Sequence, residues 1–345
     1  MTRVLLTVLL VTGLVGLAPT TYAGASARAS GASPVPVPAA GRAVDTTRPD
    51  HVVGSGTPAS CTSAKVVRAV RAGGVITFDC GPDPVTIPMR RTAKVVNTAR
   101  RVVIDGGGLV TLDGGGEHRI LYQDTCDPKQ TWATDHCDDQ ATPQLVVQRI
   151  TLAHGSSVGE DEGGGAIYAR GGRLRIVDAT FVGNRCQSRG PDVGGAAVRV
   201  FDQHSDQPVY VVGSTFRGGR CSNGGALSSI GVSWRVLNST FTNNRAIGRG
   251  ANPQRPGTAG GGSGGAIYLD GNRITLDLGG TAIRDNRARE GGGAVFFVSN
   301  DRTGTMQVRS STLQGNPSAG FETAGLPGIF FLGARRPTVT GSVLR

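Results

Sequence analysis

The sequence predicts an all-β fold, a single-stranded right-handed parallel β-helix with a short N-terminal capping helix. Three observations predict it. A Gly-Gly-Ala phrase returns at intervals, a second phrase follows it with an apolar residue and a polar turn three residues later, and the runs between are short, Gly-rich and β-branched.

The copies of the first phrase are Gly164-Gly165-Ala166-Ile167, Gly194-Gly195-Ala196-Ala197, Gly224-Gly225-Ala226-Leu227, Gly264-Gly265-Ala266-Ile267 and Gly292-Gly293-Ala294-Val295, with a degenerate Pro327-Gly328-Ile329. Their starts lie 30, 30, 40 and 28 residues apart, and the long step holds a glycine-rich insertion at 246–263. In the second phrase Thr180-Phe181 leads to Asn184, Thr215-Phe216 to Gly219, Thr240-Phe241 to Asn244, Ala282-Ile283 to Asn286 and Thr312-Leu313 to Asn316. Leucine-rich and helical repeats share such periods but need Leu-rich or helical phrases, which are missing. Runs such as Leu174-Arg175-Ile176-Val177 and Val209-Tyr210-Val211-Val212 suit strands instead. In a parallel β-helix equivalent residues of successive coils stack, so Asn184, Asn244, Asn286 and Asn316 read as an asparagine ladder interrupted by Gly219. Its role is structural, because buried turn amides need partners.

These phrases resemble the right-handed parallel β-helix repeats of secreted bacterial proteins, related to polymorphic outer-membrane protein repeats and more distantly to the pectate-lyase-like superfamily. The resemblance runs from about Val75 to the C-terminus. It implies the fold and leaves the activity open, since that fold carries lyases, hydrolases, adhesins and proteins of unassigned role.

The chain of 345 residues then divides as follows. Residues 1–23 have the layout of a secretory signal peptide, a basic start, an apolar run and small residues, with cleavage after Ala23 or Ala27. No later run is long enough to span a membrane, so a secreted, extracellular, monomeric product is expected. Residues 24–60, rich in Ala, Ser, Gly and Pro, read as an extended linker without a core. The β-helix domain occupies 61–345. It opens with Thr62-Ser63 as N-cap of a helix at about 63–72, whose Val66, Val67 and Val70 share a face and which stops at Gly73-Gly74. Such a helix suits the open end of a solenoid. Val75–Leu112 holds short strands for the first coils, with Asp105-Gly106-Gly107-Gly108 and Asp113-Gly114-Gly115-Gly116 as turns; they lack the frame of a calcium-binding nonapeptide array.

Six cysteines in an exported chain point to three disulfides. Cys186 and Cys221 each lie two residues beyond a ladder position, so a staple between stacked coils is expected there, with Cys61–Cys80 tying the cap and Cys126–Cys137 closing a loop.

The net charge of +11 is carried by arginine, with only Lys65, Lys94 and Lys129 as lysines. Arg185, Arg220, Arg245 and Arg287 each follow a ladder position and should form a column along one edge. An anionic polymer such as an acidic polysaccharide or another cell-envelope polymer would neutralise it, through bidentate contacts to carboxylate or sulfate. Nucleic acid is excluded for want of a reading helix or an aromatic stacking platform.

Two loops carry other chemistry. The insertion at 124–143 places Asp124, Asp127, Asp135, Asp138 and Asp139 near the Cys126–Cys137 pair with His136 and Trp132; clustered oxygen donors could hold Ca²⁺, the one cofactor suggested, and Trp132 could stack on a sugar. At 201–207, Asp202, His204 and Asp206 could form an acid–base set. His154-Gly155 faintly resembles a polygalacturonase phrase, but the other polygalacturonase and pectate-lyase phrases are missing and His154 reads as a turn residue. The sequence therefore points to a secreted protein that binds an extracellular anionic polysaccharide, with its degradation left open and, if it occurs, of lyase or glycoside hydrolase type, or else to a non-catalytic surface or adhesive β-helix.

Overall fold

The computed structural model describes residues 31–345 apart from Trp132 and Asp161. The signal peptide expected at 1–23 lies outside the described residues, and among the described residues no helix is long and apolar enough to cross a membrane. Short β-branched runs separated by glycine or asparagine turns have no neighbour to pair with in their own coil. They pair with the equivalent run one repeat later, always in parallel, and four sheets of ten, nine, five and eight strands result. One coil comprises Arg173–Val177, Thr180–Val182, Arg185–Cys186 and Val198–Phe201, one strand in each sheet. The next coil lays Val209–Val212, Thr215–Arg217, Arg220–Cys221 and Leu227–Ile230 on it in register. The architecture is the parallel β-helix that the repeat predicts.

Like side chains stack inside. Phe181, Phe216 and Phe241 form a column with ring centroids 4.5 and 4.7 Å apart and rings nearly parallel, which Ile283 and Leu313 continue. Each such ring withdrawn from water contributes roughly 1.5–3 kcal/mol. The asparagine ladder forms as expected: Asn244 Nδ2 donates to Asn286 Oδ1 at 2.8 Å and Asn286 Nδ2 to Asn316 Oδ1 at 2.9 Å, while Asn184 Oδ1 accepts from the Gly155 amide at 2.7 Å. At the gap, the Gly219 amide donates to Asn244 Oδ1 at 3.0 Å. A hydroxyl ladder that the sequence reading missed lines another corner, where Ser214, Ser239, Thr281, Ser311 and Ser342 each accept from a backbone amide one coil away.

The Gly-Gly-Ala phrase needs one correction. Ile167, Val198 and Leu227 are in register, so Ala197, and not Ala196, stacks between Ala166 and Ala226. The second copy is shifted by one residue, and Ala196 occupies the place that Gly165 and Gly225 fill in its neighbours. At Gly225 an added Cβ would stand 2.2 Å from the Gly265 carbonyl oxygen. Ala196 instead packs with Cys186, Cys221 and Val193.

The cap helix spans Ser63–Ala72, with the Thr62 hydroxyl accepting from the Lys65 amide at 3.4 Å and Gly73 ending it at φ +79°. Its Val66, Ala69 and Val70 join the apolar core while Val67 is only half-buried beside it. Disulfides join Cys61 to Cys80, Cys126 to Cys137 and Cys186 to Cys221, the pairs that the sequence predicts.

The described part of the stretch read as an extended linker over 24–60 packs on the solenoid. Residues 31–50 descend the outside of the first sheet as a strap. The Ser33 amide donates to the Ser310 carbonyl at 3.1 Å, Val35 exchanges hydrogen bonds with the Asn238 side chain at 2.8 and 2.9 Å, and Val44 does so with Gln148 at 2.8 and 2.9 Å. Val35 and Val37 cover Tyr210, Val212 and Leu237. His51–Gly54 then enters the first sheet as its edge strand beside Gly74–Asp79. Alternating Val-Pro supplies a chain too stiff to coil back and apolar enough to cover the valines of the sheet.

Candidate anion-binding edge

The strands of the third sheet have two residues in each coil; in the first, Ser156–Ser157, both are buried, and in the four that follow one is exposed and one buried. The buried set is Cys186, Cys221, Ala246 and Ala288, and the exposed set is Arg185, Arg220, Arg245 and Arg287, each in direct register with the next. The expected arginine column exists. Arg185 leaves it, because its guanidinium turns back to the Gly116 carbonyl and Ser156 Oγ. The side chains of Arg220, Arg245 and Arg287 hold no hydrogen bond or ion pair to another described residue. Like charges so close repel, and an anion from outside relieves that repulsion.

The insertion at 246–263 turns the column into one wall of a cleft. It folds on itself through antiparallel bridges Arg249↔Gly260 and Ala251↔Gly261, and rests on the loop at 187–193 two coils earlier, where the Gly190 amide donates to the Ala259 carbonyl at 3.1 Å. Between insertion and loop lies an open cleft of about 620 Å³ whose walls carry Arg189, Arg220, Arg249, Arg255 and Arg289. It runs on, sharing Arg220 and Arg289, into a depression of about 290 Å³ that also holds Arg245 and Arg287. The acid at this edge is Glu290, whose two oxygens take Arg255 Nη1 at 2.8 Å and Nη2 at 2.9 Å, and one of them also the Gly250 amide at 2.8 Å. Those bonds hold the Glu290 carboxyl below its usual range against a burial that raises it, and they raise Arg255 in turn. Six guanidinium groups hold no hydrogen bond or ion pair to a described residue: Arg189, Arg220, Arg245, Arg249, Arg287 and Arg289, of which Arg249 lies near enough to Glu290 to help lower its carboxyl. Arg189, Arg249, Arg255 and Arg289 went unread in the sequence. Arg189 and Arg249 follow Arg185 and Arg245 by four residues and Arg289 follows Arg287 by two, a spacing that register alone could have exposed.

The other candidates are placed differently. The loops at 124–143 and 201–207 meet: His204 Nδ1 lies 2.5 Å from the Asp139 carbonyl oxygen and 3.4 Å from its Oδ1, which also accepts from the Ser205 amide at 2.6 Å. Asp202 sits 3.9 Å from Arg170; burial raises its carboxyl, Arg170 pulls it back, and Asp138 and Asp206 push it up again. Asp124 and Asp127 converge on the Tyr122 hydroxyl at 3.1 and 3.3 Å, and burial with these two carboxylates raises the phenol. Asp124 also accepts from the Cys126 amide and Asp127 from the Lys129 amide, while Asp135 and Asp138 point to solvent. Among the described residues no group of three or more His, Cys, Asp or Glu is arranged to hold a metal ion. Trp132 lies outside the described residues. His154 occupies a turn at φ +49°, with Nδ1 3.1 Å from Asp113 Oδ2, and the Asp105 and Asp113 side chains accept from the Gly107 and Gly115 amides of their own turns.

A family model described as the Chlamydia polymorphic membrane protein (Chlamydia_PMP) repeat matches residues 238–270, the stretch from the Asn238 turn through Arg245 and the insertion into the strand Ile267–Gly271. No curated protein matches the chain. No solved structure matches it. With four parallel sheets and that one matching segment, the chain is a β-helix repeat protein, similar over 238–270 to the polymorphic membrane protein repeat.

Proposed function

We propose that this chain is a non-catalytic surface or adhesive β-helix protein, exported and monomeric, whose arginine edge holds an extracellular anionic polymer. The observation that carries the reading is the continuous cleft with six guanidiniums free of hydrogen bonds and ion pairs and one carboxylate already taken by Arg255. Solenoid edges present such groups at a fixed pitch to an extended ligand. A degrading enzyme needs an acid–base pair where the polymer binds. Glu290 is committed to Arg255 and Gly250, and the candidate set Asp202, His204 and Asp206 lies in the loop after the fourth sheet, away from the third. The likeness to a polymorphic membrane protein repeat and the three disulfides support a place outside the cytoplasm.

The test is a panel of uronate, sulfated and neutral glycans at low salt. Salt-sensitive retention of the anionic glycans without product is the expected result. Unsaturated product absorbing in the ultraviolet would overturn it in favour of a lyase, and new reducing ends in favour of a hydrolase.

A further inference from the structure

The charge density of the cleft goes further than its sign. Stacked strands lie about 4.8 Å apart, and within the cleft each step along the axis brings two guanidiniums free of hydrogen bonds and ion pairs: Arg245 with Arg249, Arg287 with Arg289, and Arg220 with Arg189 reaching over from the coil before. Glu290 pairs directly with Arg255 and supplies Arg249 only a more distant share of its single charge. One sugar of an extended glycan advances by about the same distance as one coil. A polyuronate, with one carboxylate per sugar, therefore leaves half of these guanidiniums facing like charge, whereas a glycan with two anionic groups per sugar neutralises both members of each pair. Sulfate esters present several oxygens to the guanidinium fork and stay ionised at any physiological pH.

We propose that the cleft between the loop at 187–193 and the insertion at 246–263 selects glycans that carry two anionic groups per sugar, as sulfate esters, over polyuronates that carry one. The inference rests on the anionic-polymer reading of the same edge. The insertion is its device: it brings Arg249 to the column and, through Arg255 and Glu290, is fastened to the coil that carries Arg289.

The experiment titrates the full chain, at one ionic strength, with heparin, partly desulfated heparin, polygalacturonate and linear polyphosphate. Heparin is expected to bind at least roughly tenfold more tightly than polygalacturonate. Affinity should fall with desulfation, and polyphosphate should bind more weakly than heparin. Arg249→Gln with Arg289→Gln, both exposed, should abolish the preference while polygalacturonate binding persists. Arg91→Gln with Arg335→Gln, exposed outside the cleft and equal in charge lost, should keep it. Equal affinity for heparin and polygalacturonate, tighter binding of polyphosphate, or equal losses in the two double variants would each overturn the inference alone. Binding of none of the four would remove the anionic-polymer reading with it.

Discussion

Glu290 grips Arg255 with both oxygens, 2.8 Å to Nη1 and 2.9 Å to Nη2, and thereby ties the insertion at 246–263 to the coil that carries Arg287 and Arg289. The same carboxylate accepts from the Gly250 amide, so one side chain fixes both limbs of the insertion. Glu290→Ala should free the insertion without unfolding the solenoid, whose sheets do not depend on it. Limited trypsin digestion should then cut after Arg249, which precedes Gly250 in the insertion, well before any other site, while the wild-type chain resists there. Equal digestion rates at Arg249 would contradict the anchoring role.

The staple between Cys186 and Cys221 closes a separation of 35 residues and joins stacked positions whose Cα atoms are 4.7 Å apart. Alanine already fills this position in the next two coils, as Ala246 and Ala288, so Cys186→Ala with Cys221→Ala fits sterically. The double variant should lose about 2–4 kcal/mol of stability through the freed unfolded chain, read by thermal or denaturant unfolding under oxidising conditions. Under reducing conditions the difference should vanish.

Asn244→Ala should be more damaging than its size suggests. Asn244 serves the Gly219 amide, the Phe216 carbonyl and Asn286 Oδ1, all buried with it. Losing those partners costs about 2–4 kcal/mol. A loss under about 0.5 kcal/mol would mean that the ladder adds nothing to ordinary turn packing.

Acid should loosen the strap before it unfolds the coils. Asp105 is almost wholly buried; burial raises its carboxyl, but hydrogen bonds from Arg149, Thr46, Gln148 and the Gly107 amide outweigh that and hold it below its usual range. With the folded value depressed, its stabilisation is complete above the unfolded value of about 3.9 and is lost as pH falls below that through the folded value. Thr46 Oγ1 donates to Asp105 Oδ2 at 2.7 Å and belongs to the strap. Hydrogen-exchange protection along residues 33–46, taken relative to the intrinsic rate at each pH, should therefore fall below about pH 4, and Asp105→Asn should show the low protection already at neutral pH.

The solenoid was legible because its determinants repeat. A residue such as Asn286 or Phe216 meets its own equivalents one coil away, so copies aligned in the sequence are neighbours in space, and the ladder, the Cys186–Cys221 staple and the column of Arg220, Arg245 and Arg287 all follow from register. Where a copy slips, as Ala196 and Ala197 do, alignment by identity misplaces it and only pairing corrects it. Contacts outside the period were not legible. The strap lies against the first sheet through Asn238 and Gln148, more than a hundred residues away, and nothing local in its Val-Pro run points to them. The cleft was half legible: its column came from the repeat, but Arg255 and Glu290 meet only through the fold of an insertion that has no counterpart in other coils.

The most direct test of the account is the salt concentration at which the chain elutes from immobilised heparin, compared with that of Arg220→Gln, Arg245→Gln, Arg287→Gln combined. The three side chains are exposed and unpartnered, so the variant should fold as the wild type does. Elution of the variant at markedly lower salt, further than Arg91→Gln with Arg335→Gln and a third exposed substitution at Arg48 can shift it, is the predicted result. Coincident elution of the cleft variant and that charge-matched control would contradict an anion-binding role for the arginine edge.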